Sequence, residues 1–161
     1  MTGAVLRKRT QARMLALQAL CGLEGVGDDF LPRVGDFLKD EATYAELGFS
    51  EPLSDDLLRF AREMAAGAWG ERRRLDGLLR DAAAHWSVER MTPVDRNVLR
   101  LALHELDHHP ETPANVVFDE AIELARSFGD ADSPKFVNGL LDAIWRRIER
   151  ERAAPPPPAT E

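Results

Sequence analysis

The sequence predicts an all-α fold, and three observations carry that expectation. Apolar residues recur at spacings of three and four through most of the chain, the mark of amphipathic helices packed on a shared core. Three helix-start signals of one kind follow each other, Thr92-Pro93, Thr112-Pro113 and Ser133-Pro134. In each, a hydroxyl residue can cap free backbone N–H groups and a proline takes the first helical position, where its missing N–H costs nothing. Nothing alternates with period two for long, so no sheet is expected.

In chain order, residues 9–24 form the first helix, with Ala12, Ala16, Leu20 and Leu23 on one stripe, Leu17 beside it, and Gly22 and Gly25 at a fraying end. Residues 28–47 are weakly patterned; a short helix over about 36–47 fits, followed by a loop over 48–52. Ser54 caps a helix to about Trp69, with Leu57, Leu58, Ala61, Met64, Ala65 and Ala68 inward. Residues 71–86 repeat the period through Leu75, Leu78, Leu79, Ala82 and Trp86, and Arg72, Arg73 and Arg74 give this helix a basic surface.

The helix opened by Thr92 carries Asp95 at its third position, which suits the free N–H groups and the positive end of the helix dipole. Val94, Val98, Leu99, Leu101, Ala102, Leu103 and Leu106 make it apolar around most of its circumference, so it is expected to be the most buried helix, ending before Pro110. Val117, Ala121, Leu124, Ala125 and Phe128 line the next helix, which Gly129 is expected to close in a left-handed conformation. Val137, Leu140, Leu141, Ile144 and Ile148 line the last, capped by Ser133. Gly139 is expected at a close helix crossing, with Asn138 satisfying backbone groups there. Residues 153–161 contain four consecutive prolines, cannot continue the helix, and form a disordered tail.

A chain of 161 residues, 44% of them hydrophobic, fits one domain able to bury a core without disulfides or a metal. The single cysteine, Cys21, excludes an internal disulfide and suits a cytoplasmic protein. No run reaches the roughly 18 apolar residues of a membrane span. The basic start followed by apolar residues 14–23 is not read as an export signal, because Gln18 interrupts the run and no small-residue cleavage site follows.

The net charge of -7 suggests a chain that repels nucleic acid, but the average hides a gradient. Residues 1–23 carry Arg7, Lys8, Arg9 and Arg13 and no acidic side chain, whereas residues 24–63 carry eleven acidic and four basic ones. Charges interact over a Debye length of about 8 Å at physiological salt, so a basic arm on an acidic body can hold RNA locally while discouraging non-specific binding elsewhere. Arg9 and Arg13 share one helix face by their spacing of four, with Arg7 and Lys8 extending it.

His104-Glu105-Leu106-Asp107-His108 is a literal H-E-x-x-H, the zinc-protease pattern of two imidazoles one turn apart beside a general base. Pro110 ends that helix soon afterwards, and Ala114 stands where a metzincin third histidine belongs. A remote third ligand such as Glu120 or Glu123 stays conceivable, but a polar helix end whose histidines face water is the favoured reading, with no metal and no cofactor. There is no phosphate loop, nucleophile elbow or C-x-x-C pair, and Cys21 lies mid-helix among apolar residues, where a thiol is usually inert. A binding module is favoured over an enzyme.

Four segments together narrow the expectation: A-L-Q-A-L at 16–20, V-D-R-N-V-L-R-L-A at 94–102, D-E-A-I-E-L-A-R-S-F-G at 119–129 and D-S-P-K-F-V-N-G-L-L-D at 132–142. In order and spacing, from Arg9 to about Ile148, they resemble the NusB family of bacterial transcription antitermination factors. The resemblance implies a compact seven-helix fold of two packed lobes, about 1–69 and 71–152, within one RNA-binding domain over 1–152. It implies binding of the single-stranded boxA element of ribosomal RNA operon transcripts jointly with the ribosomal protein NusE, in a complex with NusA, NusG and RNA polymerase. A homodimer that covers the basic arm stays open.

By the same resemblance the RNA contacts are Arg7, Lys8, Arg9 and Arg13 with Asp132, Lys135 and Phe136, and Asp95 is a contact for the partner protein. Phe128, Val137, Gly139, Leu140 and Leu141 would pack the lobe. Cys21 stands where the family commonly has an aromatic, Met14 replaces a frequent glutamate, and Thr10 and Gln11 break the basic run. These departures imply weaker RNA binding in the partner's absence. A related module fused to ribosomal RNA cytosine methyltransferases is disfavoured, because only a proline-rich tail follows Ile148.

Overall fold

A computed structural model describes residues 2–83 and 88–160. Among them the chain forms eight α-helices: α1 (Thr2–Val26), α2 (Val34–Phe37), α3 (Glu41–Leu47), α4 (Asp55–Gly70), α5 (Arg72–Ala82), α6 (Pro93–His108), α7 (Ala114–Phe128) and α8 (Ser133–Ala153). Two short 3-10 turns, Asp28–Arg33 and Val88–Arg90, complete the regular structure, and there is no strand among the described residues. Trp86, expected to end the fifth helix, lies outside the described residues.

Helix α6 is the axis of the molecule. Every residue from 97 to 106 is buried, with α1 and α4 packed together on one side, α7 and α8 packed together on another, and α5 closing the remainder. Leu99, Leu101 and Leu103 are at most 1% exposed, and burying a leucine contributes about 1.5–3 kcal/mol. Thr92 caps α6 as expected, its hydroxyl accepting from the Asp95 amide at 3.2 Å, and Ser54 caps α4 through the Leu57 amide at 3.4 Å.

The central helix is nevertheless not purely apolar, which its hydrophobic pattern concealed. Arg100 donates to both carboxylate oxygens of Asp76 at 2.8 Å each and to Glu24 at 2.7 Å, and Arg96 pairs with Glu24 as well. Farther along α6, Glu105 takes two hydrogen bonds from Arg13, at 2.8 and 2.6 Å. Because Glu24 near the end of α1 meets the first half of α6, and Arg13 midway along α1 meets Glu105 near the end of α6, the two helices run antiparallel.

Several local expectations are corrected. The helix expected over 36–47 is broken into α2 and α3, since Asp40 turns its carboxylate onto the Thr43 amide at 3.0 Å and starts a new helix. That break makes eight helices where seven were expected. Helix α1 continues at both ends beyond 9–24, through Gly22 and Gly25. Thr112 does not cap α7; Pro113 holds the cap position and its carbonyl accepts from the Val116 amide at 3.0 Å. Ser133 is the first residue of α8 instead of its cap, and its hydroxyl accepts from the Asp130 amide at 2.9 Å, tying the turn together.

Gly129 is extended (φ -97°, ψ -168°), not left-handed. Its reason is close approach, because a Cβ there would fall 2.5 Å from the Ser133 hydroxyl and 2.7 Å from the Ala125 carbonyl. Gly139 and Asn138 are exposed, and a Cβ on Gly139 meets nothing within 4 Å, so no helix crosses there. Residues 154–160 have no regular secondary structure and are exposed. No helix of the described residues is long and apolar enough to cross a membrane.

Candidate nucleic-acid interface

The basic arm is the first half of α1, and its cations meet different fates. Arg7 is exposed, and Lys8 reaches Glu51 at 3.3 Å in a solvated pair of the kind worth about 0–1 kcal/mol and easily exchanged. Arg9 is half-buried, its guanidinium lying over the Phe60 ring at 4.6 Å. Arg13, one turn further, is 2% exposed. Burial alone would lower its pKa, but hydrogen bonds and charge from Glu105, with Glu120 at 3.8 Å, raise it above its ordinary value. Arg13 is therefore occupied inside the fold, and the expected four-cation surface reduces to Arg7, Lys8 and Arg9.

Phe60 was not singled out in the sequence, where it looks like any helix aromatic. It is half-buried on α4 and supports both Arg9 and, at 5.5 Å, Arg13. A cation held over a ring face gains about 0.5–1 kcal/mol at an exposed site and is positioned by it.

The second set of expected residues lies at the other end of α6. Asp132 and Lys135 are exposed at the start of α8, and Phe136 is half-buried. One side of Phe136 packs on the core and another lines an open groove of about 280 Å³ between the start of α6 and the α7–α8 turn. Arg90, Met91, Thr92, Asp95, Asp130, Asp132 and Ser133 form the rest of its wall. Asp95, assigned to the partner protein by resemblance, thus shares this groove with the residues assigned to RNA.

Asp95 is 9% exposed, and its Oδ1 is buried with no hydrogen-bond partner. A buried acceptor left unpaired costs about 1–3 kcal/mol, which an arriving donor relieves. Asp95, Asp130 and Asp132 outnumber Arg90 on the groove wall, so the groove suits N–H donors of a base edge or a basic partner side chain, not a phosphate. The cations that suit a phosphate lie instead on the basic arm. Asp95 and Glu105 are ten residues apart on α6, roughly 15 Å at the helical rise of about 1.5 Å per residue, so the two sets form the ends of an elongated surface.

Cys21 lies on α1 between these ends, half-buried, with Sγ accepting from the Asn97 amide at 3.5 Å. Burial pushes its thiol pKa up, as expected for an unreactive cysteine.

Of the two H-E-x-x-H histidines expected to face water, His108 is exposed but His104 is not. His104 is 2% exposed and Glu105 1%, and Glu105 points away from both histidines to hold Arg13. The general base of the protease pattern is thereby committed elsewhere.

Helices throughout, a basic first helix and an aromatic-lined groove beside an unpaired carboxylate define a helical binding module. The chain belongs to the NusB family, whose model matches residues 10–146. It is 40% identical over 143 residues to the transcription antitermination protein NusB of Symbiobacterium thermophilum, covering 88% of this chain and 91% of that one. It is 34% identical over 160 residues to the NusB of Syntrophus aciditrophicus, covering 97% and 93%. Both relatives are transcription antitermination proteins. Among solved structures, NusB of T. maritima superposes with a TM-score of 0.73 at 34% identity, over 86% of this chain and 90% of that one. A crystal structure of the antitermination factors NusB and NusE with double-stranded RNA gives 0.69 at 26% identity, over 88% and 98%.

Proposed function

We propose that this protein is a cytoplasmic transcription antitermination factor that binds the single-stranded boxA element of ribosomal RNA operon transcripts together with NusE. The assembled complex, with NusA, NusG and RNA polymerase, would keep transcription processive. The observation that best supports this reading is the groove at Phe136, where an accessible aromatic stands beside the unpaired Asp95 carboxylate. Unpaired bases can stack on an aromatic and present N–H groups to a carboxylate, whereas bases within a duplex cannot be splayed out in this way.

In this reading Arg7, Lys8 and Arg9 hold the backbone at one end of α6, and Phe136 and Asp132 engage bases at the other, with Lys135 at the rim. Arg13 acts through the fold by fixing α1 on α6. NusE would meet Asp95, so RNA and protein partner share one groove and reinforce each other's binding. The acidic body accounts for selectivity, since it repels RNA that lacks the groove contacts.

The test is fluorescence anisotropy with boxA and scrambled RNA, with and without NusE. Arg7, Lys8, Arg9 and Lys135 give about four phosphate contacts, hence a log-log salt slope near -3 for a single strand. Arg9→Ala should make the slope shallower by about 0.7 for both RNAs, while Phe136→Ala should weaken boxA more than the scrambled strand. Equal affinity of the wild type for both RNAs in the presence of NusE would overturn the proposal.

A further inference from the structure

The C-terminal end of α6 gathers three imidazoles and three carboxylates. His104 lies against α4 at Gly67, where a Cβ would fall 2.7 Å from its Nε2. A glycine inside a helix costs about 1 kcal/mol relative to alanine, and here it makes the space that the ring fills. His104 Nε2 is 2.6 Å from one oxygen of Glu63, and His109 Nε2 is 2.6 Å from the other. The remaining nitrogens are also engaged, His104 Nδ1 with Glu71 at 2.9 Å and His109 Nδ1 with Glu111 at 3.0 Å.

A neutral imidazole offers one N–H and one lone pair, so a ring between two carboxylates needs either a second proton or a cation at one of its nitrogens. A cation drawn in between the inner nitrogens and Glu63 meets this need, leaving each outer N–H to donate to its own carboxylate; its bonds of about 2.0–2.1 Å require the two 2.6 Å contacts to widen as it enters. That pairing of an inner lone pair with an outer carboxylate is how metal-binding histidines are commonly oriented. We propose that Glu63, His104 Nε2 and His109 Nε2 bind a divalent transition ion of the zinc class, with Glu71 and Glu111 fixing the two rings.

The three ligand atoms lie within 4.8 Å of one another, and two nitrogens with one oxygen suit zinc, cobalt or nickel. The Glu63 side chain is 46% exposed and that of His109 16%, so the site opens to solvent for entry and for a further ligand. A second triad, Glu71, His104 and His108, shares His104. It is the weaker candidate, because His108 is exposed and no carboxylate holds its Nδ1 among the described contacts. An ion on the favoured set would clamp α4 to the end of α6, close to the Phe60 ring that carries Arg9: the Phe60 and His109 centroids are 5.3 Å apart. With Glu105 turned to Arg13, the ion would hold structure instead of serving a peptidase site.

Full-length protein stripped with a chelator should take up one equivalent of Zn²⁺, and Co²⁺ in its place should give visible d–d absorption. Glu63→Gln and His109→Asn, at solvent-reachable positions, should lose saturable uptake while keeping the helical circular dichroism signal. Glu111→Gln should weaken uptake about 10–100-fold, and His108→Asn should bind like wild type. Zinc should raise the melting temperature of wild type but not of His109→Asn. No stoichiometric uptake by wild type, or undiminished uptake by His109→Asn, would overturn the proposal. Loss in His108→Asn with retention in His109→Asn would overturn the assigned ligands in favour of the second triad.

Discussion

At the C-terminal end of α6, His104, Glu105 and His109 each meet charged or hydrogen-bonding partners from α1, α4 or the α6–α7 connection. At its N-terminal end, Asp95 keeps a carboxylate oxygen buried and unpaired beside an open groove. The same helix therefore ends once where its histidines and Glu105 are engaged within the chain and once where Asp95 keeps a free acceptor. Arg9 and Arg13 repeat the contrast on α1: they share a face by spacing, yet Arg9 rests on an aromatic near the surface and Arg13 is enclosed by carboxylates. Arg13 and Glu105, paired with each other inside the chain, serve the fold, whereas Asp95 keeps an acceptor for a donor from outside.

The sharpest way to break this comparison is Arg13→Ala. It strands Glu105 as an uncompensated buried charge and should cost about 3–5 kcal/mol, whereas Arg9→Ala should cost about 0.5–1 kcal/mol, the worth of its contact with Phe60. Urea denaturation of both variants checks this, and equal losses would erase the distinction between the two arginines. Next in size, Phe136→Ala should reduce boxA binding by about 1–3 kcal/mol while the protein stays folded. An unchanged affinity would mean that Phe136 belongs only to the core.

Acid provides a smaller effect at the α1–α6 seam. Burial alone pushes the Glu24 carboxyl up, but the hydrogen bond and charge of Arg96, then Arg100 and the Asn97 amide, hold it below its ordinary value of 4.5. Its contribution is complete above that ordinary value and is lost as pH falls through the lower, folded one. Glu24→Gln should therefore be less stable than wild type at neutral pH, with the gap narrowing below about pH 4.5. A gap constant down to pH 3 in denaturant titrations would remove Glu24 as a titrating contributor. The smallest effect expected is on stability in Asp95→Asn, about 0.3–1 kcal/mol from the lost negative charge at the helix start. The same change should weaken NusE-dependent RNA binding more than binding of RNA alone, and equal weakening of both would detach Asp95 from the partner.

Much of the fold was legible because helix periodicity and capping are local. The stripes on α4, α6, α7 and α8 and the caps at Ser54 and Thr92 depend on residues three or four apart. The failures were local too, but they turned on where single side-chain atoms settle, which a helical period does not record. Gly129 reads as a left-handed cap until the hydroxyl of Ser133 is known to occupy its space, and the break at Asp40 depends on one carboxylate choosing the Thr43 amide. Of the candidate site, the sequence identified Phe136, Asp132 and the basic arm. It gave no sign of Phe60 beneath Arg9, nor that Asp95 shares a groove with Phe136, because those neighbours come from different helices.

What the sequence determined by itself was the class of fold and the kind of residue available at each surface: helical stripes, a basic first helix and a turn between two helices carrying an aromatic. Tertiary structure alone decided which of those residues are spent. Antiparallel packing of α1 on α6 set Glu105 opposite Arg13 and Glu24 opposite Arg96 and Arg100, and packing of α4 on α6 set His104 against Gly67. Charge pairing and desolvation depend on distances across the core, which no spacing along the chain records.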